Sequence, residues 1–115
     1  MPPEPAAAAP ARVVPAGDLA YRRVVRALRA RRRYRYVRPE VRRQDAGFVV
    51  VSPCCSRNVD AAGGVIDIAW IECTDAAWRL HHRDHAAQRW SCCAEGPLPR
   101  LLDLLCADPD RLFWP

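Results

Sequence analysis

The sequence has no lysine: all eighteen basic residues are arginine. With its heavy alanine and proline usage, this points to coding from a GC-rich, bacterial genome. It also blunts one argument, because an arginine here need not have been selected for its fork geometry. There is no basic segment followed by an apolar core at the start, so no targeting peptide is expected. No stretch approaches the roughly 20 apolar residues of a spanning helix. These absences place the protein in the cytoplasm, away from membranes. In that compartment the six cysteines are expected as reduced thiols or metal ligands rather than disulfides. No internal repeat is visible. Neither is a glycine-aromatic RNP pattern, a KH loop or a helix-turn-helix.

The chain of 115 residues fits a single domain. Half of the residues are apolar, enough for a core without disulfides or metal. Residues 1–16 are the exception: their proline and alanine content predicts a disordered leader. The domain is expected over 17–115.

Asp18 is a candidate N-cap for a helix over 18–33. Tyr21, Val24, Val25 and Leu28 share one helical face. Arg22, Arg23, Arg26, Arg29 and Arg33 lie away from it, giving an amphipathic helix with a cationic exterior. Tyr34–Arg43 reads as an edge strand or two short pieces, because Pro39 cannot donate to a ladder. A turn at Asp45–Gly47 leads into Phe48–Val51, completing a hairpin. Val65–Cys73 is apolar on both faces and is expected at the centre of the sheet, with Ile66, Ile68 and Trp70 on one side and Val65, Asp67, Ala69 and Ile71 on the other. Asp67 then needs a cation such as Arg57, Arg79 or Arg83. Residues 78–83 and 88–93 form a second hairpin, with Trp90 in cross-strand reach of Trp78. Leu98, Leu101, Leu102 and Leu105 mark a second helix over 98–106, stopped at Asp108-Pro109-Asp110. Phe113 and Trp114 are too apolar for a free tail and are expected to pack on the domain. The fold class is therefore α+β: an N-terminal helix, an antiparallel meander of about five strands and a C-terminal helix.

Two constellations bear on function. The first is charge. Residues 12–43 carry twelve arginines against two acids, whereas residues 44–115 carry six arginines against ten acids. The basic segment, interleaved with Tyr34 and Tyr36, suits nucleic acid through phosphate neutralisation and stacking. The candidate contacts are Arg22, Arg23, Arg26, Arg29, Arg32, Arg33 and Arg35. An acidic protein partner, or internal pairing with the acidic remainder, accounts for the same asymmetry.

The second is a Cys/His set. Structural zinc takes four converging ligands, usually from C-x2-4-C knuckles. This chain has the adjacent pairs Cys54-Cys55 and Cys92-Cys93 instead. Neighbours on a strand point to opposite faces, so the candidate ligands are one from each pair plus two imidazoles: Cys55, His81, His85 and Cys92. A thiol enzyme would draw on Cys54 or Cys55, with His82 or His85 and Asp84. Asp67 and Glu72 suggest a metal-dependent nuclease, but its usual lysine is missing. No motif specifies catalysis, no catalytic residue is assigned and no cofactor other than zinc is implied. A non-catalytic binding domain is preferred, with a metal- or thiol-dependent enzyme as the alternative.

The run Trp78-Arg79-Leu80-His81-His82-Arg83-Asp84-His85, followed by Trp90, resembles a tryptophan-flanked W-x-L-x-x-R-D hairpin of small uncharacterised bacterial proteins. Gly63-Gly64, Ile66-Asp67-Ile68 and Phe113-Trp114 extend the likeness over residues 47–115. That group is a domain of unknown function. The resemblance implies no activity, only that the hairpin and its Arg-Asp pair matter beyond packing.

Overall fold

A computed structural model of the chain describes residues 17–31, 38–44, 46–53 and 64–114. The expected leader, Tyr34, Tyr36, Cys54 and Cys55 lie outside the described residues. The element order is α1 (Asp18–Ala30), β1 (Glu40–Gln44), β2 (Gly47–Pro53), β3 (Val65–Cys73), β4 (Trp78–Asp84), β5 (Arg89–Gly96) and α2 (Leu98–Ala107). The five strands form one antiparallel sheet in the order β1-β2-β3-β4-β5. Each strand is joined to its sequence neighbour, so every pairing is local. The α+β meander expected from the sequence is the observed fold.

One face of the sheet carries both helices. Val24 and Leu28 of α1, and Leu98, Leu101, Leu102 and Leu105 of α2, pack on Phe48, Val50, Ile68, Ala69, Ile71 and Leu80. Phe113 and Trp114 complete this core. The helices form because their apolar residues recur at helical spacing against alternating apolar residues on the strands. Pro99 sits in the first turn of α2, where no backbone donor is lost.

β2 is buried along six of its seven residues, lying between β1 and β3. Gly47 is required there, because a Cβ would stand 2.0 Å from the Ile71 carbonyl oxygen. No residue other than glycine lets these two backbones approach so closely.

Several expectations are corrected. Gly17, not Asp18, is the N-cap of α1; Asp18 lies in the first turn and pairs with Arg43. The helix ends at Ala30 rather than residue 33, because Arg31 is extended and buried. Its guanidinium turns back to the Leu28 carbonyl and lies over the Trp114 ring at 4.7 Å. β1 begins after Pro39, consistent with proline's missing donor.

The face assignment of β3 is overturned by a bulge. Val50 stands opposite Ala69 and Val51 opposite Asp67, so Ile68 has no opposite number. The extra residue shifts the phase of the alternation. Ile68, Ala69 and Ile71 therefore join the helix-covered core, and Trp70 is sent to the other face. The fifth strand runs to Gly96, past the expected end at Cys93. Trp78 is consequently opposite Gly96, while Trp90 is opposite Arg83 at the far end of the ladder. The two tryptophans are not neighbours: Trp78 stacks on Phe48 inside the core, at 6.2 Å.

Candidate functional site

α1 divides its side chains sharply. Val24 and Leu28 are buried, whereas Arg22, Arg23, Arg26 and Arg29 are exposed. Successive members of this set are one or three residues apart, so the guanidinium groups form one ridge about 10 Å long at 1.5 Å per residue. None of the four makes an ion pair with an acid among the described residues. Asp18, the one acid on the helix, is engaged by Arg43. Arg43 in turn lies over Tyr21 at 4.8 Å and Phe48 at 5.9 Å. Arg32, Arg33 and Arg35 continue the basic run in the sequence but lie outside the described residues. The internal pairing that would have absorbed the ridge is not formed by the acids of the described sheet. Glu40, Glu72 and Glu95 pair within the sheet, with Arg42, Arg79 and His81.

The other sheet face shows how. Residues opposite one another in the ladder share a face, so Val49, Trp70, His81 and Cys92 form one row. Gly47, Glu72, Arg79 and Glu95 form the next. His81 stacks on Trp70 with ring centroids 4.6 Å apart and an interplanar angle of 23°. Its Nε2 is 3.3 Å from Glu72 Oε1. Arg79 bridges Glu95 at 2.8 Å and Glu72 at 3.8 Å. The Glu95 carboxylate accepting from Arg79 is the main reason that guanidinium titrates above its ordinary range. Of the three cations expected for Asp67, Arg79 pairs with Glu72 and Glu95 instead, Arg83 lies over Trp90, and Arg57 lies outside the described residues; the carboxylate buried within the strand is Glu72.

Trp90 closes this face at the far end, tilted against Trp70 at 6.1 Å and covered by Arg83 at 5.2 Å. Arg83 also donates to Gln88. Its neighbour Asp84 accepts the Ala87 N–H at 3.0 Å. The Arg-Asp pair of the hairpin thus shapes the turn, each partner by its own contact. Neither Trp70 nor Glu72 stood out as part of a row in the sequence, because the bulge at Ile68 hides the alternation.

Of the four candidate metal ligands, His81 and Cys92 stand opposite each other on β4 and β5. His85 is in the turn beyond β4, roughly 10 Å or more along an extended chain from His81. Cys55 lies outside the described residues. No group of three or more His, Cys, Asp or Glu placed to hold a metal ion occurs among the described residues. For the thiol-enzyme alternative, His82 faces the helix side as the partner of Ala69. Burial lowers the His85 pKa, reinforced by the nearby Arg83 charge. Burial also raises the thiols of Cys73, Cys93 and Cys106 above their ordinary value, which disfavours the nucleophilic thiolate. Cys93 and Cys106 donate to the Leu80 and Ala27 carbonyls.

No helix of the described residues is long and apolar enough to cross a membrane. No curated protein and no solved structure matches the chain. The family described as Domain of unknown function (DUF3024) matches residues 13–115, and so includes the arginine-rich segment that the hairpin resemblance left out. With nearly its whole length matched, the chain belongs to this DUF3024 family.

Proposed function

We propose that this protein is a bacterial, cytoplasmic, non-catalytic binding domain that holds a polyanion, nucleic acid foremost, on the arginine ridge of α1. The observation carrying this reading is the exposed row Arg22, Arg23, Arg26 and Arg29, which has no acid partner among the described residues. Like charges three or four apart on a helix each cost a few tenths of a kcal/mol. A row of phosphates removes that repulsion and releases its own counterions. A run of identical cations along one helix suits a polymer of identical anions better than the mixed charge pattern of a protein surface. Arg32, Arg33 and Arg35 extend the same set along the sequence. With no recognition motif behind it, binding is electrostatic and independent of base sequence.

The test is fluorescence anisotropy of labelled single-stranded RNA and duplex DNA. Four phosphate contacts on duplex DNA predict a loss of affinity of about a hundredfold between 50 and 200 mM salt. Reversal of Arg22, Arg23 and Arg26 to Glu should abolish retention with an unchanged circular-dichroism spectrum. Undiminished binding by the folded triple variant would overturn the reading. Retention of an acidic protein but of neither nucleic acid would replace it with a protein-directed one.

A further inference from the structure

A cleft of about 520 Å³ opens between α1 and β1. Its size is that of a small-molecule site, for which roughly 300–1,000 Å³ is usual. Tyr21, Val25, Leu28, Pro39 and Val41 supply an apolar wall, and Arg29, Arg31 and Arg38 supply cations. The one acid among the described lining residues, Glu40, is already 3.2 Å from Arg42 on β1. The Arg29 and Arg38 side chains have no acid partner among the described residues. Arg31 is held differently: it is buried, donates to Leu28 and rests on Trp114. It is thus fixed in place as part of the wall, with burial lowering its pKa.

This combination selects for two properties at once. The apolar side chains give one wall against which a compact hydrocarbon or ring can pack. Two guanidiniums beside it, with no acid partner among the described residues, favour a single anionic head, bound by charge-assisted hydrogen bonds. We propose that this cleft binds a small amphiphilic anion, a carboxylate or phosphate ester with a compact apolar body. Among the described residues the site shares only Arg29 with the outer ridge, and it does not depend on the polyanion reading.

The probe is octyl phosphate, titrated into the full chain, with inorganic phosphate and octanol as controls. Intrinsic tryptophan fluorescence reports binding, because Arg31 links the cleft wall to Trp114. Saturable binding is expected, tighter than that of either control by about tenfold or more, since one lacks the body and the other the head. Val25→Trp fills the cleft and Arg38→Ala removes a rim charge. Each should weaken octyl phosphate by about tenfold or more while leaving nucleic-acid anisotropy within about twofold of the parent. If Val25→Trp loses its circular-dichroism spectrum, Arg38→Ala carries the comparison. No saturation by octyl phosphate at millimolar concentration would overturn the proposal, as would equal affinity for octanol. An unchanged affinity in folded Arg38→Ala would do the same.

Discussion

The two ends of the described chain treat charge in opposite ways. On α1, four arginines face outward without an ion-paired acid among the described residues. Just beyond α2, Asp108 is fully buried and serves as a collar for the backbone. It takes a left-handed conformation at the helix C-cap, with its own N–H bonded to Leu104. Its carboxylate accepts from the N–H groups of Leu112, Phe113 and Trp114. The first arrangement contributes little to the fold and leaves a cationic surface exposed. The second does the reverse. Charge count therefore says little about the role of either residue; what decides is whether complementary groups are supplied from within.

That contrast is sharpened by substitutions that should separate stability from binding. The largest stability effect is expected at Asp108→Ala, which strands three backbone donors beneath Phe113 and Trp114. A loss of about 3 kcal/mol should appear as a lower urea midpoint, and an unchanged midpoint would show that the collar is dispensable. Thr74→Ala comes next. Its hydroxyl accepts from Ala76 and Ala77 and donates to the Ala77 carbonyl at the β3–β4 turn. About 1–2 kcal/mol should be lost, read in the same denaturation. Charge reversal of Arg22, Arg23 and Arg26 should leave stability within about 0.5 kcal/mol per site while nucleic-acid anisotropy collapses. A large stability loss would mean that the ridge is structural after all.

The smallest effect concerns acid. His85 has its pKa lowered from 6.5 by burial, then by Arg83, so the unfolded chain takes up a proton more readily than the folded one. Its contribution is complete above pH 6.5 and is lost as the pH falls from there through the folded value. Comparing urea midpoints at pH 7.5 and 5.0, His85→Gln should show a smaller acid-side drop than the parent. An identical drop would exclude His85 as a contributor.

The element order and both helical faces were legible in the sequence, because leucine and valine at helical spacing leave little room for other readings. So was the packing of Phe113 and Trp114. The partner of that tail was not: Asp108 reads as a helix stop, and nothing local indicates that its carboxylate gathers three N–H groups from residues ahead. The bulge at Ile68 was equally hidden, since an inserted residue in a continuous apolar run changes no residue type. With it went the row Trp70, His81 and Cys92, and the burial of Glu72. The arginine ridge was visible as a helical pattern, but its lack of ion pairs among the described residues depends on where Glu72, Glu95 and Asp18 turn, which is set by register.

The clasp between the helices also bears on the order of assembly. Each strand pairs with its neighbour in the chain, whereas Cys106 meets the Ala27 carbonyl across 79 residues, and Arg31 meets Trp114 over a similar span. Closing so long a loop costs more entropy than forming a hairpin. Hydrogen exchange should therefore find α1 opening more readily than β3, and equal protection would contradict this. The arginine-bearing helix is then the piece most easily lifted from the domain, and a ligand that tightens it against the sheet would register as slower exchange there before anywhere else.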